Sequence, residues 1–171
     1  ILEQGTLPMG ASTRNAGFAC FGSPSELLHD AALMGQSAML QMVEMRYKGI
    51  QKIVQVLGEN AIGFEPCGGY ECFEKWPENY DEKIAMLNNW LQPVMQREQA
   101  FSMAHSQIAA FGMSAFGGMI ANHSEGALHS GMYVDALTTL VRGMGVEIFY
   151  GTKVLHWQQA NAALRIETSN Y

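Results

Sequence analysis

The chain begins Ile1-Leu2-Glu3-Gln4-Gly5 and soon reaches Gly10-Ala11-Ser12-Thr13-Arg14-Asn15-Ala16-Gly17. Two apolar residues ending in an acid predict the last residues of a strand. The loop behind them is rich in Gly, Ser, Thr and Asn, which leave backbone N–H groups exposed and tolerate unusual dihedrals. A strand that runs straight into such a loop sets an α/β expectation for this end of the chain.

Working outward, Ser23-Pro24-Ser25-Glu26 marks a helix start. Ser23 can cap, Pro24 suits the first helical position, and Glu26 completes S-x-x-E. Leu27, Leu28, Ala31, Ala32 and Leu33 form its apolar face, and Gly35 bends or breaks it. A second helix is expected to about Leu57, with Met39, Met42, Val43, Ile50, Ile53 and Val54 at helical spacing and Gly58 as its C-terminal cap. Residues 62–67 and 70–74, joined at Gly68-Gly69, predict a β-hairpin with Pro66 on an edge strand. A third helix is expected over 81–95, kinked or ended by Pro93. Residues 111–128 look strand-like. A fourth helix is expected over 132–144, with Val134, Leu137, Leu140, Val141 and Met144 inward and Gly145 as its stop. Residues 146–150 predict a strand, and a hairpin is expected from 153–158 and 163–168. The chain starts inside an expected strand and stops just past the last one, without a polar tail, so it is read as an interior segment of a larger protein.

Composition narrows the function classes. Hydrophobic residues make up 48 % and charged residues only 15 %, below the usual quarter. Part of the apolar content is therefore expected to face chain outside this segment, or to be covered by self-association. The net charge is −6 with scattered basic residues, which argues against nucleic-acid binding. No apolar run reaches membrane-spanning length. Cys20, Cys67 and Cys72 are an odd set, with Cys67 and Cys72 spaced C-x4-C and no second pair. Reduced thiols and a cytoplasmic location follow as expectations.

Three segments, taken in order, resemble the D-amino-acid-oxidase-like superfamily of FAD-dependent oxidoreductases. The first is Ile1-Leu2-Glu3 with the G-x-S-x-x-N-x-G loop at residues 10–17. The second is Glu125-Gly126-Ala127-Leu128-His129-Ser130, similar to the family's G-x-L-H-P, with Ser130 in place of Pro. The third is Gly145-Val146-Glu147-Ile148 with Gly151-Thr152-Lys153-Val154, similar to G-V-x-I and G-T-x-V. The family's G-x-G-x-x-G fingerprint does not occur in this sequence.

The resemblance implies an α/β fold, α+β in the isolated piece. Residues 1–22 would be a remnant of the FAD-binding domain, 23–126 a helical and β region on the substrate side, and 127–171 a returning FAD-domain segment. It implies that the larger enzyme oxidises the C–N bond of an amine or amino acid by hydride transfer to flavin, with the segment alone inactive and unable to hold FAD. Glu3 would accept from the adenosine ribose. Ser12, Thr13, Arg14, Asn15 and Gly17 would lie along the pyrophosphate and flavin, and the Val154 backbone would meet the adenine edge. Arg14 would alter the local charge. No residue is singled out as a catalytic base.

Other readings stay beside this one. His29, His105, His123, His129 and His156 fit no ligand spacing, so no metal site is expected. His129 and His123 are expected to make structural hydrogen bonds. Tyr47, Tyr70 and Trp76 are expected to pack, as is Cys20, although it would lie near the flavin ring. The rival reading is a non-catalytic helix-rich α+β module for binding or assembly; a metal-dependent hydrolase is a third.

Overall fold

The structure is a computed structural model that describes residues 1–169. A short 3-10 turn at Ala11–Thr13 leads to strand β1 (Phe18–Ala19). Helices α1 (Pro24–Met34), α2 (Gln36–Leu57) and α3 (Glu59–Ile62) follow, then strand β2 (Gly69–Phe73). Helix α4 (Tyr80–Met95), strand β3 (Phe101–Met103), helix α5 (Gln107–Ala110) and strands β4 (Gly118–Asn122) and β5 (Gly126–Ala127) complete the middle. The chain ends with helix α6 (Ser130–Gly143) and the hairpin β6 (Val154–Ala160) and β7 (Ala163–Thr168). This is a mixed α+β arrangement of helices and small antiparallel sheets.

Local chemistry explains the helix limits. The Ser23 hydroxyl accepts from the Glu26 amide at 3.4 Å, with Pro24 in the first turn. The reciprocal half of the capping box is not made, because the Glu26 carboxylate pairs with Arg46 at 3.0 Å. Gly35 and Gly58 separate α1, α2 and α3 at φ of 87° and 83°, which side chains resist. Pro93 does not end α4, which continues to Met95. The carbonyl deprived of a partner belongs to Asn89, an exposed residue one turn back.

The core lies where α1, α2 and α4 meet the face of the three-stranded sheet, whose order is β2-β4-β3. Phe21, Leu27, Met39, Val43, Leu87 and Phe101 are fully or almost fully buried there. Each contributes on the order of 1.5–3 kcal/mol by leaving water. The aromatics meet at edges and tilts: Phe21 lies 6.1 Å from Tyr47 and 5.9 Å from Phe101, and Trp76 contacts Phe73 and Tyr80. Tyr47 and Trp76 thus pack as expected, and Tyr70 packs on Phe111. The Tyr80 hydroxyl is buried without a partner among the described residues; burial, then Glu71, pushes its phenol up to about 12.

Several sequence expectations are corrected. Residues 62–74 form no hairpin. Ile62 ends α3 and Gly63 turns left-handed at φ 57°. β2 pairs instead with β4, Tyr70 opposite Ala121, and Pro66 lies outside any strand. Within 111–128 the strands are confined to β4 and β5, and β3 had no sequence signal. Residues 146–150 are not a full strand. They make a parallel ladder with the start of the chain: Phe149 N donates to Ile1 O and Glu3 N to Phe149 O, each at 2.9 Å. The expected inner face of α6 is open, with Leu137, Leu140 and Met144 exposed and no residue of the helix buried. A 14-residue helix is marginal alone, so α6 depends on its ends. His129 Nδ1 accepts from the Met132 amide at 3.1 Å, the structural role expected of it.

Asn88 joins α4 to β3. Its amide oxygen accepts from Ala100 N and Phe101 N, both at 3.0 Å, and its nitrogen donates to Phe101 O at 2.9 Å. Removing these partners strands three backbone groups in the interior. Asn88→Ala should therefore cost on the order of 3 kcal/mol. Urea unfolding should show a lower midpoint at unchanged slope; a loss under about 0.5 kcal/mol would contradict this account.

Candidate functional site

The loop at residues 10–17 is held by its own polar side chains. Thr13 Oγ1 donates to Pro8 O at 2.9 Å. Asn15 Nδ2 donates to Ser12 O at 3.0 Å and to Ala11 O at 3.2 Å, while its Oδ1 accepts from Gly17 N at 2.9 Å. Gly17 has φ of 72° and sits 2.1 Å, measured from an added Cβ, from Leu128 O. Only glycine satisfies both demands. Ser130 Oγ reaches Thr13 O at 3.4 Å, so the start of α6 is tied to the same loop.

This loop forms one wall of a cavity of about 480 Å³. Ser12 and Asn15 line it from the loop, and Phe18, Ala19 and Cys20 from β1 and beyond. The opposite wall is apolar: Ile50, Ile53 and Val54 of α2, with Ile62 and Phe64. Arg46, Ser130 and Tyr133 add polar groups. Mostly apolar lining with a few convergent polar groups suits an organic ligand with a flat or apolar body.

The other sequence-chosen residues lie elsewhere. Glu3 is half-buried, and its carboxylate accepts from Gly5 N at 2.7 Å. Its carbonyl accepts from Thr152 N at 2.8 Å, which brings residue 3 beside the approach to Val154. Val154 opens β6 opposite Thr168. Arg14 is exposed, and its guanidinium has no partner among the described residues. The structure thus brings Ser12 and Asn15 to the cavity and sets Glu3 on the parallel ladder, bonded to Thr152, with Val154 two residues further along in the hairpin. Thr13 and Gly17 shape the loop without lining the cavity.

The sequence reading missed the residues that fix the cavity wall. Glu125 Oε1 accepts from Phe21 N at 3.0 Å and Gly22 N at 3.4 Å, which holds the segment after β1 in place. The only sequence signal was an acid directly before Gly126 in an otherwise weakly charged stretch. Arg46 reaches Phe21 O at 3.2 Å from α2. Burial, then Glu125 and Glu26, raises the Cys20 thiol, and Arg46 only partly offsets them. Cys20 therefore stays a thiol rather than a nucleophilic thiolate. All three cysteines are free. His123 Nε2 lies 2.7 Å from Ser102 Oγ, and His105 Nδ1 accepts from Met119 N at 2.9 Å. Among the described residues no three His, Cys, Asp or Glu side chains gather as a metal site. Among the described residues no helix is long and apolar enough to cross a membrane.

This geometry has relatives. The chain belongs to the DAO family, FAD dependent oxidoreductase, whose model matches residues 1–170. The three matching segments are therefore not an accidental likeness. No curated protein matches by sequence. Among solved structures, glycine oxidase from Geobacillus kaustophilus is similar over 98 % of this chain and 44 % of its own, at 17 % identity and TM-score 0.58. L-amino acid deaminase from Proteus myxofaciens, in complex with anthranilate, is similar over 98 % and 36 %, at 11 % identity and TM-score 0.62. L-alpha-glycerophosphate oxidase from Mycoplasma pneumoniae, with FAD bound, is similar over 99 % and 43 %, at 13 % identity and TM-score 0.58. The chain spans less than half the length of these structures, and the likeness establishes the fold.

Burial raises the Glu125 carboxyl above its ordinary 4.5; the Phe21 and Gly22 amides pull it back and Glu26 adds to the rise. A raised value in the folded state means that folding favours the protonated form. That contribution is complete below 4.5 and is lost as pH climbs through the raised value. Glu125→Gln keeps an acceptor for both amides and removes the charge. Its urea midpoint should fall less than the wild type's between acidic and neutral pH. Parallel curves would contradict the assignment.

Proposed function

We propose that this chain is a segment of a flavoenzyme that oxidises the C–N bond of an amine or amino acid by hydride transfer to flavin. The observation that carries it is the cavity with Ser12 and Asn15 on one wall and an apolar α2 face on the other. Two of the three similar structures have names that specify glycine or an L-amino acid. The third is named for glycerophosphate, so the family fold alone does not choose nitrogen over oxygen. A cavity whose single charged side chain, Arg46, is already paired with Glu26 suits an uncharged, partly apolar reacting centre.

The residues present fit a flavin. Gly10 leaves open space around its Cα, Arg14 offers an unpaired guanidinium, and Ser12 and Asn15 face a cavity wide enough for an aromatic ring. Glu3 would hold the ribose hydroxyls at a strand end, with Thr13, Gly17 and the Val154 backbone completing the cofactor contacts. FAD, when bound, supplies a hydride acceptor. This chain's residues orient the amine: Ile50, Ile53, Val54 and Phe64 exclude water from it, and Tyr133 and Ser130 offer hydroxyls to its polar end. Residues 1–22 and 127–171 would belong to the cofactor side and 23–126 to the substrate side. The free thiols support a cytoplasmic location.

A longer protein containing this segment should be yellow when purified, and anaerobic addition of a suitable amine should bleach it. A colourless, flavin-free protein would sink the proposal. In that protein Glu3→Gln should weaken FAD roughly tenfold, about 1.4 kcal/mol. The 171-residue chain contains no G-x-G-x-x-G and should hold FAD weakly and without turnover; tight stoichiometric binding by calorimetry would overturn that part.

The exposed Leu137 and Leu140 of α6 and Met144 just after it, with Leu155 and Trp157 of β6, form apolar surface of the kind that drives association. Light scattering of the chain should show mass rising with concentration. A constant monomer mass would count against it.

A further inference from the structure

Helix α2 passes the cavity behind the 10–17 loop along one of its faces. Arg46, Gly49, Ile50, Ile53 and Val54 line that wall. Their three- and four-residue spacing places them on one stripe of the helix. Four of these positions carry long or branched side chains. Gly49, between Arg46 and Ile53, carries none.

Glycine weakens a helix interior more than any residue except proline, because it loses the most freedom on folding. Among the described residues Gly49 is the one glycine inside a helix and away from its first and last turns. The backbone does not demand it, since its φ is not positive. Packing does not demand it either. Gly17 and Gly126 press against carbonyl oxygens, but a Cβ at Gly49 would meet nothing within 4 Å beyond its chain neighbours and its own helix backbone. The missing side chain therefore makes no room for another part of this chain. It leaves a dent in the cavity wall.

We propose that Gly49 is a specificity-determining residue, whose bare backbone deepens the cavity to admit a substrate carrying a flat apolar group wider than one six-membered ring. The inference rests on the reading above that places residues 23–126 on the substrate side. Arg46 and Ile53 stand about one helical turn before and after the dent, roughly 5 Å along the axis, which is wider than an aromatic ring is thick. The Arg46 guanidinium is held by Phe21 O at 3.2 Å and by Glu26 at 3.0 Å, so it does not fold over the opening. Phe18, Phe64 and Tyr133 line the same cavity and offer ring faces and edges to a flat group.

Three neutral probes of rising width test this on the flavin-free chain: benzyl alcohol, indole and 2-naphthol. Their binding is followed by NMR at the methyl groups of Ile50, Ile53 and Val54. In the wild type 2-naphthol should bind most tightly, since it covers the most apolar wall. Gly49→Ala should weaken 2-naphthol roughly fivefold or more and benzyl alcohol much less. Gly49→Leu, which fills the dent, should weaken all three. The same Gly49→Ala should raise the melting temperature by roughly 2–4 °C, because a helix-interior glycine is replaced without a clash. Gly143→Ala, at the far end of α6, should leave the three affinities as they are.

A lower melting temperature in Gly49→Ala would show that packing needs the glycine and would overturn the inference. So would equal losses for all three probes in that variant, affinities that do not change, or the same losses in Gly143→Ala. In a longer protein that holds flavin, Gly49→Ala should retain it; loss of the flavin would assign the dent to the cofactor and overturn the substrate role. The probes carry no amine and need no flavin, so their failure would leave amine-driven bleaching of the longer protein as a separate result.

Discussion

Everything at the cavity depends on one extended stretch, residues 125–129, whose backbone is bonded on both sides. Gly68 N donates to Glu125 O, Glu65 and Ala127 exchange hydrogen bonds, Leu128 N donates to Gly17 O, and His129 N donates to Ile62 O. The glycine-rich loop and the α3–β2 connection are thereby locked to the same five residues. Glu125 extends the lock through its side chain to Phe21 and Gly22. Such backbone approach leaves no room for Cβ atoms at Gly17 or Gly126, where they would fall 2.1 and 2.4 Å from carbonyl oxygens.

The seam also explains why burial is uneven. Apolar side chains of α1, α2 and α4 close a core against β2, β3 and β4. The flanking parts, α6 and the β6–β7 hairpin, hold on through caps and backbone bonds and keep their apolar faces exposed. The similar solved structures are more than twice as long as this chain. The weakly charged composition, 15 % of residues, is the same fact seen in the sequence.

What could be read from sequence was local. Ser23-Pro24, Gly35, Gly58 and Gly145 act on their immediate neighbours, so the helix limits and the closing hairpin were visible. The pairing of β2 with β4 was not, because the partner of Tyr70 is Ala121 and nothing within residues 62–74 encodes it. Proximity made a hairpin the natural reading; the left-handed Gly63 removed it. At the site, the loop chemistry of Ser12 and Asn15 was legible from residue type. Glu125 and Arg46 were not, since each acts across 25 to 104 positions of chain.

The parallel ladder between the first residues and 147–152 has a kinetic consequence. Its amino-terminal contact joins positions 146 apart, so it closes a loop nearly as long as the chain. Loop closure of that length is entropically expensive and is repaid only after the interior has condensed. With only a few hydrogen bonds to hold it, this ladder is the last part of the molecule to form and the first to open. The edge that carries Glu3 is therefore governed by folding order as much as by chemistry.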